Sequence, residues 1–285
     1  MKRLLLSLFC WLVSVLSANA QDSLHYSVFW APTHAYQKAG VKQEGVFLYR
    51  YKKGILSDSL IQQSLVYDSL GRVIRSEEYR QNKLLRRYHY FYSGSQLDSL
   101  EQDELWLRAK LVHRYSYDEA GNLILKQVFN GKRKTIQERY VYNSFRQPLK
   151  IYLQIENLPE TLVNEFSYRK DRRIQQINHW FEGSAASNFS YLYTYPDDGR
   201  SSKRFFQRRT EEKRFVDCFL TYNEKNQLIE KIIPPLPKSV RPPEGLSRPE
   251  EVVETYSYYP NGMLNEVQTK INDQLISVRK HIYFY

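Results

Sequence analysis

The sequence predicts an all-β protein, a long antiparallel meander of β-hairpin repeats of about 25 residues forming a curved or spiralling sheet. Three observations carry that expectation. A tyrosine recurs at Tyr67, Tyr92, Tyr117, Tyr142, Tyr168, Tyr193, Tyr222, Tyr258 and Tyr283, in steps of 25, 25, 25, 26, 25, 29, 36 and 25 residues. The segments around each tyrosine alternate apolar and polar side chains, the period of a strand with one covered face. The composition agrees: 24 Tyr and 14 Phe stand against 11 Gly in 285 residues, and ring-rich, Ala-poor chains suit half-buried strands better than helices.

One repeat shows how the elements are read. In TIQERYVY, Ile136, Tyr140 and Tyr142 share one parity, and Thr135, Gln137 and Arg139 share the other. A short polar cluster follows, then LKIYLQI, where Leu149, Ile151, Leu153 and Ile155 fall on one parity and Lys150, Tyr152 and Gln154 on the other. Two kinds of turn join the strands. Asn130-Gly131 tolerates the positive φ angles of a tight hairpin. In the Tyr-x-Tyr-Asp-x-x-Gly form, Asp68 or Asp118 can bond the turn backbone while Gly71 or Gly121 goes left-handed. About seventeen such strands are expected, with a degenerate earlier copy at Tyr49. The tyrosines form a ladder on the packed face, and a sheet this wide must twist and curl.

The chain divides as follows. Residues 1–20 read as a secretory signal: basic Lys2 and Arg3, an apolar run from Leu4 to Leu16, and Ala18-Asn19-Ala20 before a cut at Gln21. The run is too short for a comfortable transmembrane span. Residues 21–59 form an N-terminal cap over the first strand edge and a degenerate repeat, 60–233 the main repeats, 234–250 a Pro-rich insertion and 251–285 a C-terminal repeat. Between Pro234 and Pro249 lie six of the 11 prolines, which cannot donate to a ladder. That excursion is either a plain surface loop or a polyproline ligand.

Export places the protein in the periplasm, on the outer surface or outside the bacterial cell. Signal cleavage removes Cys10 and leaves Cys218 alone, so no internal disulfide forms. Cys218 shares parity with Val216, Leu220 and Tyr222 and reads as a small buried residue. The net charge of +11 becomes 11 − 2 = +9 without Lys2 and Arg3. For an exported chain this points to an anionic envelope glycan or protein and not to nucleic acid; it serves equally as a solubility device.

The word Tyr-x-Tyr-Asp-x-x-Gly-Asn/Arg-Leu/Val resembles the YD repeat of Rhs-type and teneurin-type proteins. It is fullest in Tyr115-Ser116-Tyr117-Asp118-Glu119-Ala120-Gly121-Asn122-Leu123 and in Tyr67-Asp68-Ser69-Leu70-Gly71-Arg72-Val73. Other units replace the Asp (Asn143, Arg169, Asn223) or the Gly (Arg146, Arg172, Asn226). The resemblance implies spiralling β-sheets that act as shells or display surfaces, normally on far longer chains.

No catalytic, cofactor or metal motif is found: there is no nucleophile elbow, no H-E-x-x-H, no paired-cysteine spacing and no phosphate loop. His89 and His113, one repeat apart, are the nearest approach to a metal pair, and Asp197-Asp198-Gly199 reads as a turn. The candidate site is a basic cluster, Lys203, Arg204, Arg208, Arg209, Lys213 and Arg214, enclosing Phe205 and Phe206 and suited to an anionic ligand. The expected function is a non-enzymatic binding or scaffold module at the cell envelope. The alternatives are an outer-membrane β-barrel, against which Lys126, Lys150, Arg279 and His281 interrupt a lipid-facing band, and an envelope hydrolase.

Overall fold

The structure is a computed structural model, and it describes residues 33–180, 188–196, 200–208, 214–235 and 250–285. A short helix, α1 (Thr33–Ala39), precedes the sheet. The first strands are β1 (Gln43–Lys52), β2 (Ile55–Tyr67), β3 (Val73–Arg80), β4 (Lys83–Ser93), β5 (Gln96–Glu104) and β6 (Ala109–Tyr117). Then follow β7 (Leu123–Asn130), β8 (Arg133–Tyr142), β9 (Pro148–Ile155), β10 (Thr161–Tyr168), β11 (Ile174–His179) and β12 (Phe189–Thr194). The last are β13 (Ser201–Arg208), β14 (Phe215–Tyr222), β15 (Leu228–Ile233), β16 (Val252–Tyr258), β17 (Leu264–Ile271) and β18 (Gln274–Phe284).

Every strand pairs antiparallel with its sequence neighbours, and β1 also pairs with β18, from Gln43↔Phe284 to Arg50↔Ser277. The meander is as expected; the open, curving or spiralling sheet is not. Eighteen strands close into a barrel. Closure removes both edges, because β18 supplies the hydrogen bonds β1 would otherwise lack. The Pro-rich insertion leaves after β15 and returns at β16, which pair directly through Ile233↔Val252; residues 236–249 lie outside the described residues, as does the signal.

The repeated tyrosine has a definite job. Each even-numbered strand carries it at or within one residue of its end, and a register shift lies just before Tyr67, Tyr92, Tyr117, Tyr142, Tyr168, Tyr222 and Tyr258. The hydroxyl of Tyr92 donates to the carbonyl of Val73, Tyr117 to Leu97, Tyr142 to Leu123, and Tyr168 to Pro148, at 2.6–2.9 Å. Tyr258 and Tyr283 repeat the bond to Leu228 and Leu264, both at 2.8 Å. The main chain of Tyr142 meanwhile pairs with Pro148 on the following strand. One residue therefore ties its own strand to the strands before and after it, each bond contributing roughly 1 kcal/mol net. Three units depart from the ladder: Tyr195, not Tyr193, bonds the carbonyl of Ile174, Tyr67 donates to the Glu44 carboxylate, and Tyr222 bonds the Ser202 side chain. Tyr49, the proposed degenerate copy, sits inside β1, and Tyr67 fills the ladder position of that hairpin.

The turns after Tyr67, Tyr117, Tyr142, Tyr168, Tyr222 and Tyr258 share one backbone geometry, whereas that after Tyr92 is a two-residue hairpin closed by Ser93↔Gln96. Asp68 Oδ1 accepts from the Leu70 and Arg72 amides at 2.9 Å, and Gly71 has φ 73°. Gly121 matches at φ 82°, under Asp118. Where the glycine is replaced, the left-handed angle persists: Arg146 has φ 61°, Arg172 φ 65° and Asn226 φ 57°. Asn143 and Asn223 replace the aspartate and make the same amide bonds. Neither full motif is needed for the turn, because register and side-chain bonding set the backbone angles.

Candidate functional site

A closed sheet has a crowded concave face and a splayed convex one. The tyrosine parity holds the buried side chains Tyr140, Ile151, Phe166, Ile177 and Tyr191 and is the inner face. Most strands bury a single residue fully, as in β7, β8, β9 and β17. A second layer against the inner face would bury alternate residues along each strand; here the side chains pack laterally, strand to strand.

Acids and bases alternate around this inner face. Arg86 bonds Glu104 at 2.6 Å and Glu78 at 3.3 Å, and Lys126 bonds Glu138 at 2.9 Å. Arg204 meets Asp217 at 2.6 Å, and Lys231 meets Glu254 at 3.5 Å. Burial alone would raise the Glu138 carboxyl, but Lys126 and the Tyr140 hydroxyl outweigh it and hold it below its ordinary value. Arg204 is likewise penalised by burial, overcome by Asp217, which raises it; its guanidinium also covers the Tyr191 ring at 4.7 Å. His113 and His179 are pushed down to about 4 by burial, aided by Lys126 and Arg204 respectively. His179 stacks on Phe189 at 4.6 Å, with Tyr191 and Phe206 edge-on or tilted against the pair.

The barrel closes over a polar seam. Glu44 on β1 accepts from the Tyr67 hydroxyl and meets His281 Nδ1 of β18 at 2.6 Å. Tyr36 of α1 stacks on Tyr67 with ring centroids 4.9 Å apart and packs edge-on against Tyr283, so the helix sits over the seam. Burial and the Glu44 charge raise the Tyr67 and Tyr283 hydroxyls strongly, and Tyr36 to about 12.

The outer face is charged in its turn. Arg87 pairs with Glu77, Lys110 with Glu101, Lys150 with Glu165 and Lys280 with Glu266. Arg139 pairs with Glu160 at 2.6 Å and lies 4.1 Å over the Tyr152 ring. Of the charges expected to interrupt a lipid-facing band, Lys150 does face outward, while Lys126 and His281 turn inward to Glu138 and Glu44.

The predicted basic cluster is divided by the strand. Lys203 is on the outer face, 5.2 Å from the Phe205 ring and 5.0 Å from Phe219. Arg204, its neighbour, is 6% exposed on the inner face. Arg208 ends β13, Arg214 is exposed and bonds Gln207 at 3.1 Å, and Arg209 and Lys213 lie outside the described residues. His89 and His113 take opposite faces, paired with Glu101 and Leu100 respectively, and so do not approach as ligands. Asp197-Asp198-Gly199 lies outside the described residues. Cys218 is fully buried, but Val216 departs from its parity because a bulge at Asp217 turns it to the other face. Among the described residues no three His, Cys, Asp or Glu side chains gather as metal ligands. Sequence reasoning missed the inner ion pairs, though parity carried the signal: Glu138 is two residues before Tyr140, and Arg204 two before Phe206.

A family described as "Uncharacterised protein" matches residues 65–191, less than half the chain, and it is not described as a YD-repeat family. No curated protein matches. Among solved structures the chain is similar to TcdB2-TccC3, at 12% identity and TM-score 0.33, covering 78% of this chain and 14% of that one. It thus spans about a seventh of that protein's length. A porin-like protein from Bacteroides uniformis ATCC 8492 is similar at 10% identity and TM-score 0.38, covering 86% of this chain and 96% of that one. A DUF1329 family protein from Desulfovibrio piger ATCC 29098 is similar at 6% identity and TM-score 0.18, covering 89% and 91%. None of these likenesses transfers a function to this chain.

Proposed function

We propose that the chain is an exported, non-enzymatic β-barrel of the bacterial cell envelope that stands in water and acts as a binding or scaffold module. One observation carries this reading: a closed sheet with ion pairs on both faces. A charge on the lipid face of a membrane barrel costs about 2–4 kcal/mol for Arg or Lys at mid-depth, and the outer face here presents Arg87, Lys110, Arg139, Lys150 and Lys280 on β4, β6, β8, β9 and β18, with Lys203 on β13. Its anionic partner would meet the outward cations, Lys203 and Arg214 among them, whereas Arg204 is already neutralised by Asp217. The YD-repeat resemblance agrees with a shell more than with an open display sheet.

The second reading is an outer-membrane barrel. Closure favours it over the open scaffold: an even number of antiparallel strands joined edge to edge is what a membrane barrel requires. No helix among the described residues is long and apolar enough to cross a membrane, which says nothing of strands. Extraction separates the two. A water-standing barrel purifies folded without detergent and leaves envelopes in high salt or alkaline carbonate. Retention in the membrane until detergent is added overturns the first reading and supports the second.

A further inference from the structure

The two ends of the barrel differ. One carries the tyrosines, the Asp-type turns and α1; the other carries the tips of the odd-to-even hairpins. From β1 to β10 five of those tips stand side by side, because the sheet order follows the chain. Large apolar side chains crown the first, third and fifth: Ile55 at 73% and Leu56 at 52% exposed, Leu105, Trp106 and Leu107 at 42–57%, and Leu158 at 52%. Trp106 is not a loose ring. Its indole N–H donates to the buried Glu104 carboxylate at 3.0 Å, which holds the ring at the tip with its surface in solvent.

Cations stand between these anchors. Lys52, Lys53, Arg80, Lys83, Arg108 and Lys132 are exposed on the first four tips, and none of them forms an ion pair among the described residues. Arg133 beside them is already taken by Glu156 at 2.6 Å. Arg50, just below the first tip, pairs with Asp58 at 4.0 Å; the six cations on the tips themselves meet no acid among the described residues. Interleaved apolar tips, a tryptophan and unpaired cations are the chemistry of an interfacial anchor: rings and aliphatic tips enter the headgroup boundary while Lys and Arg meet lipid phosphates.

We propose that this rim docks the barrel, end-on, onto an anionic phospholipid surface, with the Trp106 tip as its apolar anchor. The inference rests on the reading of the barrel as water-standing, since an inserted barrel would bury its outer wall and not its tips.

The test is flotation of the purified protein with phosphatidylcholine vesicles, with and without phosphatidylglycerol, at low and high salt. Binding is expected only with phosphatidylglycerol and to be released by salt. Lys52→Glu with Lys53→Glu should weaken it at least about tenfold, given roughly a kcal/mol for each cation at the surface. Trp106→Ser should weaken it several-fold. Lys225→Glu, on a turn at the opposite end, should leave it unchanged and shows whether net charge alone is responsible. Equal binding to both vesicle types, or equal loss from Lys225→Glu and the double variant, overturns the docking rim. So does a soluble, folded protein that binds neither vesicle, and that outcome leaves the water-standing reading intact. Protein held in vesicles through high salt and freed only by detergent has inserted, which overturns the water-standing reading as well.

Discussion

Glu44 and His281, 237 residues apart in sequence, meet at 2.6 Å across the seam where the last strand joins the first. Glu44 is 4% exposed and also accepts the Tyr67 hydroxyl, so one carboxylate serves both sides of the closure. Replacing it by alanine strands two buried polar groups. Glu44→Ala is expected to cost about 3–5 kcal/mol, the usual loss on breaking a buried pair. If the seam opens, two unpaired edges become available to other copies. Urea unfolding reads the stability, and light scattering reads the association. Unchanged stability would mean that the backbone ladder alone holds the seam.

The hydroxyl ladder makes a repeated and separable contribution. Tyr142→Phe keeps the ring and removes only the bond to the Leu123 carbonyl, so about 1 kcal/mol is expected to be lost. Tyr92→Phe and Tyr168→Phe should each cost a similar amount. A null result at all three would reduce the ladder to ring packing.

The left-handed turn positions predict opposite signs for reciprocal changes. Arg146, at φ 61°, is held where glycine is favoured; Arg146→Gly should stabilise by up to about 1 kcal/mol, less whatever its 3.3 Å bond to the Ala120 carbonyl contributes. Gly121→Ala, at φ 82° with only an ordinary contact to Gln96, should destabilise by about 1–2 kcal/mol through strain alone. Thermal denaturation of both variants checks the pair.

Alkali should unfold the protein sharply. Burial pushes Tyr36, Tyr90, Tyr142 and Tyr195 up to about 12, against 10 in the unfolded chain. The unfolded state then loses protons first, so this stabilisation is complete below pH 10 and is lost as pH rises from 10 through 12. Tyrosinate absorbance should rise together with the loss of β-sheet circular dichroism. Free titration of most tyrosines near pH 10 in a folded protein would contradict the buried ladder.

Acid acts through the histidines. His113 and His179, pushed down to about 4, stay neutral in the fold while their unfolded counterparts gain protons near 6.5. Their contribution is present above pH 6.5 and is lost as pH falls toward 4. His113→Gln, which removes the titrating group, should flatten stability over that window. An unchanged profile would place the acid sensitivity elsewhere.

The hairpin is legible in the residues alone. Period-two alternation, the recurring tyrosine and the turn residues act over a few residues, and they specified strand type, repeat length and the packed face. The same parity carries Lys126, Glu138 and Arg204 inward, although by charge alone Lys126 counts among the residues interrupting a lipid-facing band and Arg204 groups with Lys203 in one basic cluster. Closure of the sheet is not legible in the residues alone. Local pattern is identical in an open spiral and a closed ring; the choice depends on twist accumulated over eighteen strands and on one long-range pairing, β1 with β18. The same holds for the rim: Ile55, Trp106 and Leu158 are about fifty residues apart in the chain, and only the side-by-side order of the hairpins brings their tips to one end.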